Sequence, residues 1–262
     1  MKDRKFGDAG AKVVVEERLT GPEVSILAFV SGSTIYIMES AADHKPIGEG
    51  DVGPNTGGMG SYSPTPLVTE PLMRQIEREV LVPIVSALSR EEAPYRGVLY
   101  AGLMLTPGGP KVLEFNCRIG DPEGQALIMR LRGGLLEAIE GTIDGKLEDV
   151  TLDWDPRPAV CVVVSASGYP DYYEKGAVIS GLDDVEPADD LMVFHAGTER
   201  DEEGRIVTAG GRVLGVTALG KDLSAARERA YGAVDLIDFQ GRYRRRDIGE
   251  RAATGRLRVG AT

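Results

Sequence analysis

Apolar positions along the chain recur with two periods, every second and about every fourth residue, and the switches between them mark its elements. Val13-Val14-Val15, running into Glu16-Glu17-Arg18-Leu19, predicts a buried strand leaving a core. Glu23 to Val30 and Thr34 to Met38, joined through Ser31-Gly32-Ser33, predict a hairpin. Residues 43–60 follow neither period and are glycine-punctuated, which predicts a long functional loop. Thr69 to Arg90 reads as a helix: Thr69 suits the N-cap, Pro71 the first turn, and Leu72, Ile76, Val80, Ile84 and Leu88 form its buried stripe. Pro83 should kink it. Arg96 to Thr106, the turn Pro107-Gly108-Gly109-Pro110 and Lys111 to Asn116 predict an antiparallel pair, with Lys111-Val112-Leu113 buried. A further helix opens at Asp121-Pro122-Glu123 and carries Leu127, Leu131, Leu135, Ile139 and Ile143 on one face.

Past Gly145 the pattern shifts. Residues 147–158 are acidic and proline-bearing, as a domain boundary would be. Strands follow at Ala159–Ala166, Leu191–Gly197 and Gly211–Leu219, then a helix with Leu223, Ala226, Ala230, Val234 and Ile237 inward. The expected fold is α/β (α+β) in two units, residues 6–146 and a smaller α+β domain at 156–251, with 252–262 as a tail.

Composition narrows the partners. The 262 residues are 42% hydrophobic, enough for one large core or two modest ones. A net charge of −11 argues against a nucleic-acid or anionic-membrane surface. A polyanion handled by such a chain needs Mg²⁺, a few placed Lys or Arg side chains, and backbone amides. Cys117 and Cys161 lack CxxC spacing and read as reduced packing residues, which suits a cytoplasmic protein. Neither a signal peptide nor a run of ~18 apolar residues is apparent, so no membrane partner is expected.

The candidate chemistry centres on Leu113-Glu114-Phe115-Asn116-Cys117-Arg118. Strand alternation puts Glu114, Asn116 and Arg118 on one face and Leu113, Phe115 and Cys117 on the other. A carboxylate, an amide oxygen and a guanidinium can together hold a hard cation and the phosphate it bridges. An exposed polar strand face fits the same spacing. In the 43–60 loop, clustered glycines let amides converge on an anion and Asn55 and Thr56 add donors, although an ordered surface loop with glycine turns fits as well. Asp121 and Glu123 stand where a helix start prefers acids, and an N-terminus there also favours a bound anion. His44 reads equally as a substrate contact or a loop residue bonded to backbone, and His195 as a packed strand residue. The Arg242–Arg246 run is either a solvated end or an inter-domain salt-bridge face.

The run Glu114-x-Asn116-x-Arg118 resembles the metal strand of ATP-grasp ligases. Ile119-Gly120-Asp121-Pro122-Glu123, Asp43-His44-Lys45 and Gly53-Pro54-Asn55-Thr56-Gly57-Gly58-Met59-Gly60 narrow the resemblance to the phosphoribosylamine–glycine ligase (glycinamide ribonucleotide synthetase) family. It extends from about Phe6 to Ala252 and includes His195-Ala196-Gly197-Thr198 and Asp247-Ile248-Gly249-Glu250-Arg251. The resemblance implies ATP-dependent joining of glycine to phosphoribosylamine in purine synthesis, with ATP and Mg²⁺, or Mn²⁺ in its place, as cofactors. By it, Glu114 and Asn116 are metal positions and Arg118 is the catalytic cation. Glu16, Glu17, Arg18 and Leu19 form the adenine hinge, and Glu23 takes the ribose hydroxyls. Asp43, His44, Lys45, Asn55, Thr56, Gly57, Gly58, Met59, Gly60, Asp121 and Glu123 line the substrate side.

Two departures stand out. Relatives commonly read Gln-Asp-His-Lys-Arg where this chain has Ala42-Asp43-His44-Lys45-Pro46, and many ATP-grasp enzymes have a second metal-binding Glu where this chain has Gly102. The family also carries a domain and the first half of the grasp fold ahead of the position of Phe6. The expectation is therefore a chain inactive alone. The rival readings are another ATP-grasp ligase of purine synthesis, and a non-catalytic fragment or one half of a split enzyme, partnered by a separate N-terminal half, serving as a binding module.

Overall fold

A computed structural model describes residues 7–186 and 188–257. Phe6, where the resemblance begins, and the end of the tail lie outside the described residues. The organising strand is β1 (Glu23–Ser31), hydrogen-bonded to β2 (Thr34–Ile37) across the predicted hairpin. Next come β3 (Ala42–Asp43), β4 (Pro46–Gly48), β5 (Val52–Asn55) and β6 (Gly60–Ser63). Helices α1 (Glu70–Ile76) and α2 (Val82–Arg90) flank a π-helical turn at Glu77–Leu81. The bend expected from Pro83 thus takes the form of a widened turn: proline has no N–H for the Glu79 carbonyl, and the wider turn accommodates the lost bond. The long β7 (Arg96–Thr106) and β8 (Gly109–Asn116) then complete an antiparallel sheet of order β2-β1-β7-β8.

Alternation along β1 supplies two cores at once. Val24, Ile26, Ala28 and Val30 face Ile76, Val80, Leu81 and Val85 of the helical layer. Leu27 and Phe29 face the other way, onto Leu127, Ala138 and Leu147. The helix predicted after Asp121 is broken into α3 (Glu123–Arg130), the short β9 (Leu131–Gly133) and α4 (Leu135–Asp144). A residue every four positions drifts about 40° around a helix per step, so the stripe from Leu127 to Ile143 could not stay on one face. Gly134, at φ 89°, resets the phase. Ala138, Gly141 and Thr142 are buried instead, and Ile139 and Ile143 are exposed.

The strand β10 (Asp153–Trp154) pairs with β9 and leads into β11 (Ala159–Ala166), buried along its whole length. Then come β12 (Leu191–His195), the hairpin of β13 (Thr198–Arg200) and β14 (Ile206–Thr208), β15 (Arg212–Leu219), α5 (Leu223–Leu236), β16 (Arg242–Tyr243) and α6 (Glu250–Ala253). Ala226, Ala230, Val234 and Ile237 close the core over this sheet, as their spacing predicts.

The second sheet runs β12-β15-β11-β6-β3, with β16 also on β11. Its β3 and β6 come from residues 42–63, so the segment expected to belong to the first unit is stitched into the second. Ser25 and Ala41 exchange backbone hydrogen bonds, which joins the two sheets where the segment begins. The 43–60 stretch is accordingly strand-built rather than the structureless loop its composition predicts.

Val13, Val14 and Val15 are exposed and residues 13–20 have no regular structure, contrary to the predicted buried strand. No described strand pairs with them. Val112 is also exposed, because β8 is the edge of its sheet, and Cys117 is exposed while Cys161 is fully buried. No described helix is long and apolar enough to cross a membrane.

Candidate active site

The start of β1, the β7–β8 turn, the β3–β4 link and the α6 region enclose a cleft of about 810 Å³ lined by Glu23, Asp43, His44, Lys45, Asp51 and Arg251 among others. Glu114 and Asn116 share a face, as alternation requires, and the Asn116 amide donates to Glu114 Oε1 at 3.2 Å. Gly102 lies directly across from Glu114 in β7. A Cβ there would come within 3.3 Å of Glu114 Cγ, a tight contact that a small shift of the Glu114 side chain would relieve. Lys45 Nζ reaches across the cleft to Glu114 Oε1 at 3.4 Å and lies 3.8 Å from Glu23 Oε2. Arg118 lies beyond the end of β8 and bonds the Ile119 carbonyl, and it is exposed.

Behind the cleft sits a buried carboxylate, Glu123, which accepts from Ser25 Oγ at 3.0 Å and from Tyr100 OH at 2.5 Å. Burial, and then the neighbouring Glu123 charge, push the Asp43 carboxyl up to about 8. Burial also raises Glu23, with Lys45 opposing and Asp51 and Glu114 adding to the rise. Burial works against the Lys45 charge, but Asp43, Glu23 and Glu114 outweigh it and raise that group. The cleft sets Glu23, Asp43 and Asp51 against the Lys45 ammonium and the Arg251 and Arg256 guanidiniums, with Glu114 beside Lys45.

The glycine segment is built differently from an anion cradle. Gly57 N–H donates to Tyr169 OH at 3.0 Å and Gly58 N–H to Thr56 Oγ1 at 2.9 Å, so both amides are engaged within the protein. Thr56 in turn donates to the Lys45 carbonyl, and Met59 is a core residue at 0% exposure. Gly58 has φ 114°, and a Cβ there would lie 2.4 Å from Pro122 Cδ. Asn55 is exposed on β5, and Gly60 begins β6. Asp121 does not cap α3, which starts after a cis Asp121–Pro122 bond; its carboxylate pairs with Arg212 at 3.2 Å and accepts from Gln125. The exposed Glu16, Glu17 and Arg18, with half-buried Leu19, lead toward the cleft at Thr20 without a hydrogen-bonded partner strand among the described residues.

His44 belongs to a second cluster. Its Nε2 accepts from Gly249 N–H at 3.1 Å, and its Nδ1 lies 3.2 Å from Asp51 Oδ1. An Nε2 that accepts carries no hydrogen, so Nδ1 is the donor to Asp51. Arg245, fully buried, donates to Asp51 at 2.9 Å, to Asp247 at 2.7 Å and to the Pro46 carbonyl at 2.9 Å. Within the Arg242–Arg246 run, Arg246 is exposed, Arg242 and Arg244 pair locally with Asp238 and Asp235, and Arg245 reaches Asp51. Arg212 plays a similar part, donating to the Gly57 and Asp121 carbonyls. His195 is exposed and bonds Thr198 Oγ1 at 3.0 Å. Nothing in spacing pointed to Arg245, Arg212, Ser25 or Tyr100, whose partners are distant in sequence.

The donor set suits magnesium. Among the described residues no cluster of three or more His, Cys, Asp or Glu side chains is arranged to hold a metal by itself. Glu114 and Asn116 offer two oxygen donors, which matches a cation that takes one or two protein ligands and fills its octahedron with phosphate and water.

The fold is shared with known ligases and carboxylases. A phosphoribosylamine–glycine ligase from Thermotoga maritima superposes with a TM-score of 0.78 at 37% identity, covering 89% of this chain and 57% of that one. The biotin carboxylase domain of Hydrogenobacter thermophilus 2-oxoglutarate carboxylase matches with a TM-score of 0.57 at 13% identity over 85% of this chain and 47% of that one, a likeness of fold alone. The hairpin sheet and the cleft beside it are therefore those of an ATP-grasp protein. Residues 1–124 match the family model described as the phosphoribosylglycinamide synthetase ATP-grasp (A) domain, and residues 159–251 match that family's C domain. Curated phosphoribosylamine–glycine ligases of Rhodopirellula baltica and Allochromatium vinosum are 53% and 55% identical, each over 95% of this chain. The chain belongs to the phosphoribosylglycinamide synthetase family. It spans 57–58% of the length of those two relatives.

Proposed function

We propose that this chain forms the metal-strand wall and C domain of an enzyme that joins glycine to phosphoribosylamine at the expense of ATP, giving glycinamide ribonucleotide, ADP and phosphate. What carries the reading is the family match together with the pairing of the cleft residue Lys45 with Glu114, itself bonded to Asn116. A glycine carboxylate oxygen attacks the γ-phosphorus and ADP leaves, giving glycyl phosphate. The phosphoribosylamine nitrogen then attacks the acyl carbon, phosphate leaves, and the amine gives up a proton. Glu114 and Asn116 would hold Mg²⁺, which would supply charge neutralisation at the phosphates. Mn²⁺ fits the same donors.

In this reading Arg118 turns into the cleft to offset charge on the transferring group, and its exposed position leaves it free to do so. Backbone groups of Glu16–Leu19 meet the adenine edge, and the raised, part-buried Glu23 accepts from the ribose hydroxyls. Asp43, Lys45 and Glu123 form the substrate wall. His44, Asn55, Thr56, Gly57, Gly58, Met59, Gly60 and Asp121 shape it, in several cases by holding one another. A cytoplasmic setting suits the two free cysteines. The identity to same-named relatives favours this over another purine-pathway ligase.

Phosphoryl transfer depends on enclosing the nucleotide, so the 262-residue chain alone should turn over far below ordinary enzyme rates. The test is phosphate release from ATP with glycine and phosphoribosylamine, with and without a separately expressed N-terminal half of a full-length family member. Release should need both halves and both substrates. Turnover of roughly 1 s⁻¹ by the chain alone, or release indifferent to glycine, would defeat the proposal.

A further inference from the structure

Glu114 Oε1 is already crowded. It takes the Lys45 ammonium at 3.4 Å and the Asn116 amide N–H at 3.2 Å. With its Nδ2 turned to Glu114, Asn116 presents its oxygen away from the carboxylate it would share a cation with. A divalent cation seated between Glu114 and Asn116 needs the amide turned round and that carboxylate oxygen free. It also cannot sit beside an ammonium at contact distance without strong like-charge repulsion. Among the described residues, Lys45 is the one cation paired with either Glu23 or Glu114. Its backbone is pinned, because its carbonyl accepts from both Thr56 N–H at 2.8 Å and Thr56 Oγ1 at 2.7 Å. The next carbonyl, Pro46, is held by buried Arg245. Only the side chain is left to move.

We propose that Lys45 is a built-in counter-ion that competes with the divalent cation for Glu114: its ammonium occupies the carboxylate until the cation arrives and is then handed over to the cleft. The inference rests on the reading of Glu114 and Asn116 as the metal positions. It gives Lys45 two successive partners, first Glu114 and then an anionic group of the substrates, on one anchored backbone. The cleft guanidinium of Arg251 is held by Asp51, so Lys45 is the cleft cation that faces Glu23 and Glu114.

Mn²⁺ binding to the 262-residue chain, followed by the electron paramagnetic resonance signal of free Mn²⁺, tests this without turnover. Lys45→Met should tighten Mn²⁺ about tenfold, Lys45→Arg should change it less than about twofold, and so should Arg251→Gln, which removes a cleft cation not paired with Glu114. In the unmodified chain, saturating Mn²⁺ should raise acetylation of Lys45 by N-hydroxysuccinimidyl acetate relative to Lys111 and Lys146, read by peptide mass spectrometry. The labelling arm stands even if Lys45→Met fails to fold. Mn²⁺ binding lost in Glu114→Gln but unchanged in Lys45→Met, or Lys45 labelling that ignores Mn²⁺, overturns the competition alone. No binding, or binding indifferent to both substitutions, overturns the metal positions and the competition together.

Discussion

Replacing Arg245 with methionine removes a fully buried guanidinium and keeps much of its apolar stem. Four groups lose a donor or neighbour: Asp51, Asp247, the Pro46 carbonyl and His44. Breaking a buried ion pair by removing one partner costs about 3–5 kcal/mol, because the other charge stays behind. Here Asp51 is 34% exposed and keeps Arg251, while Asp247 keeps the Gly50 amide, so solvent and remaining partners hold the cost near 3 kcal/mol. That corresponds to a fall of roughly 6–10 °C in Tm for a chain of this size.

Acid should shrink the difference. Burial alone would raise both carboxyls, but hydrogen bonds from His44 and Arg245 to Asp51, and from Arg245 and Gly50 to Asp247, hold both below the usual range. A depressed carboxyl lends stability above its unfolded pKa, and that contribution is lost as pH falls through the folded one. The arginine's advantage should therefore be full at pH 7 and decline below about pH 4. Urea unfolding followed by circular dichroism at both pH values measures it. A loss under about 1 kcal/mol at pH 7, or one that does not diminish in acid, would refute the reasoning.

Three further outcomes follow from the same geometry. Gly58→Val should lower stability by about 2 kcal/mol or more, because φ 114° and the Pro122 ring leave no place for a side chain; thermal melting that does not move would contradict that steric reading. Asp43→Asn should stabilise the chain near pH 7. A raised carboxyl lends stability below its unfolded pKa and loses it as pH rises toward about 8, so the gain should be absent near pH 4 and grow across that window; equal melting shifts at both ends contradict it. Val14→Asp should leave stability within about 0.5 kcal/mol, since Val13–Val15 are exposed; a marked drop in Tm would mean that they are packed.

Local rules determined much of this protein from sequence. The β1–β2 and β7–β8 hairpins, the fully buried β11 and the inward face of α5 follow from periods of two and near four, because burial on one face is a local constraint. The shared face of Glu114 and Asn116 is legible for the same reason. The pattern after Asp121 forms two helices rather than one, because a four-residue spacing drifts and Gly134 resets it. Val13–Val15 are exposed despite their apolar run, because burial needs a neighbour, which no short stretch can specify. What only the tertiary structure decided are the meetings across long separations: β6 on β11, Lys45 on Glu114, and Arg245 on Asp51 and Asp247 against His44. A charge in sequence carries no record of its partner. Which carboxylate an arginine or lysine neutralises is settled when the sheets pair and exclude water around it, and in this chain that pairing builds the cleft.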